Sequence, residues 1–332
     1  MSKMAVLGAG AWGTALAKVL ADKQNPTFLW SHRPELALLM NERRINERYL
    51  PMAQLPPTLR ATSDLEEALH GAELVVVVVP SHALRSVVAE AKAYIPERAL
   101  ICSATKGIEN DSLMLMSEVL VDEIGRAAEH RMTYLSGPSF AKEVALGQPT
   151  AVVVAGKSND ETVAVQHAFA TERLRVYSSE DVVGVEVGGA LKNVVAIAAG
   201  IVDGLGFGHN ARAGVITRGL AEIARVAMVK GGSPLTLAGL SGLGDLVLTC
   251  TGELSRNRTV GLEMGRGRTL EDVLEHLGHV AEGVKTSKSA YDLGLKLDVD
   301  MPITGEVYRV LYEQKQPLQA VVDLMNRALR KE

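Results

Sequence analysis

Up to Asp181 the chain alternates short, β-branched apolar runs with helix-length stretches; beyond it, through Arg330, only helical spacing remains. Met4–Leu7, Thr27–Trp30, Leu74–Val79, Leu100–Ser103, Tyr134–Leu135, Ala151–Ala155 and Leu174–Tyr177 read as strands. Val75 to Val79 are five consecutive valines, apolar toward both faces. Such a strand belongs inside a parallel sheet covered by helices, and Pro80 ends it at the carboxyl edge, where these sheets bind ligands. In the second half, 182–202 and 211–230 read as long helices, and Pro302 and Pro317 stand where a first helical turn begins. The charged cluster 41–48 reads as a solvated helix face. The pattern predicts an α/β chain: an N-terminal, mostly parallel sheet domain over 1–188 and an all-helical domain over 189–332.

Length agrees, because 332 residues exceed one ordinary core. Aromatic residues make up only 4 %, too few for a nucleic-acid stacking platform. The net charge of −4 supplies no global field for a polyanion, so nucleic acid is not an expected partner and an anionic ligand needs a local cluster of Lys and Arg. Cys102 and Cys250 form no CxxC pair and read as buried small residues in a reducing compartment. Lys3 and the apolar stretch to Leu20 imitate a signal peptide, but Gly8, Gly10 and Gly13 would break its helix. No stretch approaches the roughly 18 apolar residues of a membrane span. The expectation is a cytoplasmic protein without a membrane anchor.

Those three glycines follow a strand and open a helix, as G-x-G-x-x-G in Met4–Ala17. Gly8 permits a tight turn, Gly10 lets the backbone approach a pyrophosphate, and Gly13 lets helix and strand pack closely. The phosphates then meet free N–H groups at the helix N-terminus. This predicts a Rossmann-type dinucleotide domain. After the second strand, an NAD-selective site usually offers an acid; here Ser31-His32-Arg33 comes first, with no carboxylate until Glu35. Arg33 can pair with a 2′-phosphate and stack on adenine, which favours NADPH with NADH tolerated; the competing reading is a solvent-facing loop arginine.

Four polar segments interrupt apolar surroundings: Thr105-Lys106-Gly107, Gly137-Pro138-Ser139, Leu191-Lys192-Asn193, and Gly244-Asp245 with Ser255-Arg256-Asn257. Lys106 follows a strand, which puts it at the carboxyl edge expected to hold the nicotinamide. Lys192 is the only basic residue of its apolar helix. A lysine there is commonly a surface residue whose stem snorkels, yet Gly188-Gly189 permit close approach of a ligand or another backbone. The residues alone leave both readings open. His276 and His279 are spaced i, i+3 without an acid or third ligand, so no metal site is expected. Neither G-x-S-x-G nor a Walker loop is present, leaving acyl transfer and P-loop chemistry unsupported.

Gly8-Ala-Gly-Ala-Trp-Gly13, Ala104-Thr-Lys-Gly107, Leu135-Ser-Gly-Pro-Ser-Phe-Ala141, Gly189-Ala-Leu-Lys-Asn193, Gly242-Leu-Gly-Asp245 and Ser255-Arg-Asn257 together resemble the bacterial NAD(P)-dependent glycerol-3-phosphate dehydrogenases. The resemblance runs in order from residue 4 to beyond 282. It implies reduction of dihydroxyacetone phosphate to sn-glycerol 3-phosphate for phospholipid synthesis, by a homodimeric enzyme with this family's two-domain plan. Lys192 would be the general acid/base, with Lys106 beside it at the carbonyl and Asp245 orienting the lysines. Asn193, Ser255, Arg256 and Asn257 would hold the phosphate, and Gly137 and Ser139 would border the substrate. Gly8, Gly10, Ala11, Trp12, Gly13, His32, Arg33, Lys106, Ala141, Arg256, Val280 and Glu282 would line the cofactor. Ala11 departs from members with a hydroxyl residue there, which removes one side-chain contact and leaves the backbone contacts.

The implied chemistry is consistent. A cation at the carbonyl stabilises charge that develops as hydride arrives, worth about 3–4 kcal/mol. A free lysine, with pKa near ~10.4, holds its proton tightly; two close, partly desolvated lysines disfavour double protonation and make one a better shuttle. The wider group of Rossmann-plus-helical hydroxyacid dehydrogenases also uses a Lys–Asn pair, so a 2-keto carboxylate is the rival substrate. A dinucleotide sensor without turnover is the rival class, opposed by Lys106, Lys192 and Asp245, since a sensor needs no proton shuttle.

Overall fold

The computed structural model describes residues 2–277 and 281–329. The chain forms two compact units, Met1–Lys106 with Met114–Val185 and Gly107–Leu113 with Glu186–Glu332. The first holds ten strands: β1 (Met4–Leu7), β2 (Thr27–Trp30), β3 (Ile45–Asn46), β4 (Leu50–Gln54), β5 (Leu59–Thr62), β6 (Leu74–Val77), β7 (Leu100–Ser103), β8 (Met132–Ser136), β9 (Thr150–Gly156) and β10 (Leu174–Ser179). Its helices are α1 (Ala11–Asp22), α2 (Pro34–Arg43), α3 (Leu65–Leu69), α4 (Leu84–Ala91), α5 (Met116–Ile124), α6 (Ala141–Ala145) and α7 (Asn159–Phe169). Eight strands make one sheet in the order β10-β9-β8-β7-β6-β1-β2-β5. Neighbours are parallel except β8 and β9. The valine strand β6 lies between β1 and β7 with all four residues buried, as its two apolar faces require. The carboxyl ends of β1, β2, β6 and β7 therefore share one edge.

Three readings of this unit need correction. β6 ends at Val77 rather than Val79: Val78 passes beneath the glycine loop, and Val79 gives its N–H to Thr105 Oγ1 at 3.2 Å. The edge strand β5 and the hairpin β3–β4 were absent from the expected elements. The charged cluster 41–48 is no solvated helix face, because α2 ends at Arg43 and Arg44 turns left-handed at φ 57°. That conformation costs a non-glycine residue about 1–2 kcal/mol. It is offset by the Arg44 guanidinium, which donates to the carbonyls of Pro56 and Leu59 (2.9 Å to the latter). Asn46, two residues on, is fully buried.

The units part at Val185/Glu186, inside α8 (Val182–Gly204), against an expected boundary at 188/189. The short segment 107–113 also joins the helical unit, where Ser289 Oγ donates to the Ile108 carbonyl at 3.5 Å. The other helices there are α9 (His209–Val229), α10 (Pro234–Leu237), α11 (Asp245–Thr251), α12 (Arg256–Gly265), α13 (Leu270–Leu277), α14 (Glu282–Lys296), α15 (Pro302–Tyr312) and α16 (Pro317–Met325). The described residues of this unit contain no strand. Prolines occupy the first turns of α10, α15 and α16, where the missing N–H costs nothing. Contrary to expectation, α8 is long and apolar enough to cross a membrane by length and composition. Every residue from Val187 to Val202 is buried, however, Lys192 and Asn193 included, so α8 is a core helix. On α9, the buried Glu222 accepts from the N–H groups of Ile303 (2.6 Å) and Thr304 (3.1 Å), capping α15 from a distance.

Candidate active site

In the sheet unit the three glycines of the loop do three different jobs. Gly8 has φ +120°, and a Cβ there would sit 2.2 Å from the Val78 carbonyl oxygen. A Cβ on Gly13 would sit 1.9 Å from the Gly8 carbonyl oxygen, so α1 can approach β1 only without a side chain there. Gly10 meets nothing within 4 Å and faces open space. It is also the N-cap of α1, with no side-chain cap and no acid in the first turn, which leaves the helix end to an anionic ligand. Trp12 Nε1 is buried without a hydrogen-bond partner among the described residues. An open backbone cradle, an uncapped N-terminus and an orphaned donor together fit a dinucleotide. Behind the loop, Asn46 Nδ2 donates to the Ala9 carbonyl (3.0 Å) and to Thr14 Oγ1 (2.8 Å), tying the β3–β4 hairpin to the glycine turn.

At the end of β2, the Arg33 N–H bonds Ser31 Oγ (3.1 Å), its Nε donates to His32 Nε2 (3.2 Å), and Nη1 reaches Tyr49 OH at 3.4 Å. His32 is exposed, and Ala11 and Ala141 open α1 and α6. After β7, Lys106 Nζ donates to the Gly137 carbonyl at 3.3 Å, and Ser139 Oγ donates to the same oxygen at 2.9 Å. Gly137 adopts φ +129° with its missing Cβ 3.0 Å from Val152 Cα, so the turn after β8 needs glycine. The sequence-chosen residues Lys106, Gly137 and Ser139 thus form one cluster.

The helical unit holds a second cluster. Lys192 is 7 % exposed, and its Nζ donates to Asp245 Oδ1 and to Thr249 Oγ1 (2.9 Å). Asp245 is 1 % exposed, and the Thr249 hydroxyl donates to the Asp245 backbone carbonyl at 2.6 Å. A snorkelling surface lysine is excluded by that burial. Gly188 allows the contact: a Cβ there would lie 2.5 Å from the Ser241 carbonyl oxygen, in the π-turn Leu240–Gly244 that delivers Asp245. Asn193 is buried beside Lys192. Ser255 caps α12 by accepting from the Arg258 N–H at 3.2 Å, and Arg256 is exposed at the helix start. Asn257 Oδ1 accepts from the Gly283 N–H at 3.0 Å, which fixes its amide orientation and leaves Nδ2 as a donor facing elsewhere. Glu282 opens α14, whereas Val280 and His279 lie outside the described residues. Burial pushes the thiols of Cys102 and Cys250 up to about 12, so neither is a nucleophile at neutral pH.

Models for the N- and C-terminal parts of NAD-dependent glycerol-3-phosphate dehydrogenase match residues 3–163 and 181–322. The chain belongs to that family. It is 52 % identical to the glycerol-3-phosphate dehydrogenase [NAD(P)+] of Citrifermentans bemidjiense, over 99 % of this chain and 98 % of that protein. The crystal structure of glycerol-3-phosphate dehydrogenase from Coxiella burnetii superposes with a TM-score of 0.94 at 42 % identity, covering 98 % of this chain and 99 % of that one. A PanE/ApbA family ketopantoate reductase from Ralstonia eutropha shares the fold at 19 % identity, with a TM-score of 0.59 over 96 % of this chain and 99 % of that one. Residues 189–193 (G-A-L-K-N) and 255–257 (S-R-N) both fall within the match to the C-terminal part. Sequence reasoning missed Thr249, although its i+4 spacing from Asp245 was a usable signal, and it missed Asn46, for which no local signal existed.

This geometry makes substitutions at the glycine loop and at the buried ion pair diagnostic. Gly10→Ala should cost the fold at most about 1 kcal/mol while weakening dinucleotide binding, whereas Gly13→Ala should destabilise by about 3 kcal/mol or more. Urea melts beside fluorescence titration of NADPH separate the two, and equal melts would contradict the assigned contacts. Lys192→Met should cost about 3–5 kcal/mol by stranding the buried Asp245 carboxylate. Combining it with Asp245→Asn should recover most of that stability and none of the activity; a double variant as unstable as the single would show that charge does not set the cost.

Proposed function

We propose that this chain reduces dihydroxyacetone phosphate to sn-glycerol 3-phosphate, with Lys192 as the general acid and NADPH preferred over NADH. The observation that carries this reading is the buried ammonium of Lys192, held by Asp245 and Thr249 in a helix otherwise built for packing. An apolar helix gains nothing in stability from a charge whose burial demands a second charge, so the pair is there for chemistry.

When bound, the reduced nicotinamide supplies the hydride that adds to the substrate's carbonyl carbon. Lys192 donates a proton to the carbonyl oxygen in the reducing direction, and as the amine accepts one from the alcohol in the oxidising direction. Asp245 and Thr249 hold Nζ in place through both states. Ser255, Arg256, the N–H groups at the start of α12 and the Asn257 amide take the phosphate, with Asn193 beside Lys192. Lys106, Gly137 and Ser139 border the substrate. Gly8, Gly10, Ala11, Trp12, Gly13, His32, Arg33, Lys106, Ala141, Arg256 and Glu282 line the dinucleotide, with Arg33 reading the 2′-phosphate. The enzyme acts in the cytoplasm as a homodimer and supplies glycerol 3-phosphate for phospholipid synthesis.

Three measurements test this reading. Lys192→Met should lower single-turnover reduction by at least about 10³-fold, through loss of the acid and of oxyanion stabilisation, with NADPH affinity changed by less than roughly threefold. Retention of more than about a tenth of the rate would transfer the role to Lys106. Arg33→Ala should raise KM for NADPH far more than for NADH; an equal rise removes the basis of the cofactor preference. In a panel followed at the nicotinamide absorbance, good turnover of a 2-keto carboxylate would favour the rival substrate class.

A further inference from the structure

Four glycines join α8 to α12 along their backbones. On α8, a Cβ at Gly200 would lie 2.0 Å from the Arg258 carbonyl oxygen, and one at Gly204 would lie 2.2 Å from that of Leu262. On α12, a Cβ at Gly261 would lie 1.9 Å from the Ile197 carbonyl oxygen, and one at Gly265 would lie 2.5 Å from that of Ile201. Within each pair the contacts advance four residues along both helices together, so the helices run in the same direction in direct backbone contact. No side chain stands between them to absorb a shift. This direction puts the N-terminus of α12, with Ser255, Arg256 and Asn257, toward Asn193 in the middle of α8; Gly283 links them, its N–H bonded to Asn257 and its missing Cβ 3.0 Å from the Asn193 carbonyl oxygen.

One ion pair bridges this seam. Asp203 on α8 accepts from Arg258 on α12 through Nε (2.9 Å) and Nη2 (2.6 Å), and from Arg212 on α9 at 3.2 Å. The Asp203 and Arg258 side chains are only 11 % and 17 % exposed. Arg258 also donates its backbone N–H to Ser255 Oγ, the cap of α12. Along α8, Asp203 follows Lys192 by about three helical turns, roughly 16 Å, and falls on the same face because eleven residues span almost three full turns.

We propose that Asp203 and Arg258 are positioning residues, which lock α12 against α8 and thereby set the distance from the phosphate-binding end of α12 to the Lys192 ammonium. The proposal rests on the reading of Ser255–Asn257 as the phosphate site. The glycines let the helices touch, and the ion pair fixes how far α12 slides and rolls on α8. Neither residue touches the substrate, and both act through Ser255, Arg256 and Asn257.

The test uses the full chain with Asp203→Asn, a nearly isosteric change that deletes the charge. The readouts are kcat and KM for dihydroxyacetone phosphate, the inhibition constant of inorganic phosphate, turnover of unphosphorylated dihydroxyacetone, NADPH affinity and the melting temperature. KM and the phosphate constant should rise about tenfold, the loss expected for a weakened charge-assisted hydrogen bond. Dihydroxyacetone turnover and NADPH affinity should stay within about twofold of wild type, less than half a kcal/mol. Arg258→Lys keeps the charge and loses the fork, so it should fall between the two; it also carries the comparison if Asp203→Asn fails to fold. An unchanged phosphate constant with a lowered melting temperature would overturn the positioning role. So would an equal loss on dihydroxyacetone and its phosphate. Wild-type enzyme that turns over both substrates equally, and is not inhibited by phosphate, would overturn the phosphate site itself and this role with it.

Discussion

Lys192 and Asp245 carry opposite charges almost wholly out of water, and much of the helical unit is arranged around that fact. Removing a single charge from water costs several kcal/mol, so each group is tolerated only beside the other and beside further hydrogen-bond partners. Meeting that condition demands backbone contacts that ordinary residues would prevent. Gly188 lets α8 touch the π-turn, and within that turn Gly242 has a missing Cβ 2.1 Å from the Leu237 carbonyl oxygen. A π-turn widens the helix by one residue and re-aims the side chains after it; here Asp245 comes directly next, opening α11. Thr249 then occupies the next turn of α11 and completes the ammonium's surroundings.

Glycine serves opposite ends in the two units. In the sheet unit, Gly8 lets the loop cross directly over Val78 and Gly13 lets α1 approach the Gly8 carbonyl, while the outer side of Gly10 stays bare. In the helical unit, glycines bring the backbones of α8 and α12 into direct contact. Rigid placement matters because hydride and proton must reach neighbouring atoms of one small molecule, and misplacement by about 1 Å can cost on the order of 10²-fold in rate. The fold alone does not choose the substrate, since the ketopantoate reductase from Ralstonia eutropha shares it at 19 % identity. Selection falls to a few local groups. The net charge of −4 leaves any attraction for an anion to arginines and helix ends rather than to the molecule as a whole.

Much of this was legible in the sequence. The strand–glycine-loop–helix unit is largely local: its turn, the approach of Gly13 to Gly8 and its open N-terminus arise within ten residues, so spacing alone picked out Gly8, Gly10 and Gly13, although the Val78 carbonyl against Gly8 comes from far along the chain. The valine strand announced a sheet interior, and the prolines at 302 and 317 marked helix starts because a proline lacks the N–H that a first turn does not use. Other features depend on partners far away in the chain. Lys192 is 53 residues from Asp245, and Asp203 is 55 from Arg258. The residues around Lys192 favour a snorkelling lysine and leave a buried one open; the approach of α11 decided for burial. Asn46 and Arg44 looked like part of a solvated cluster, and only the fold turned one into a brace for the glycine loop and the other into a clamp on three carbonyls. Periodicity and backbone preference act over a few residues and determine elements and their faces. Which charge is buried, which carbonyl it meets and which helices touch are set by contacts across dozens of residues, and those exist only once the chain has packed.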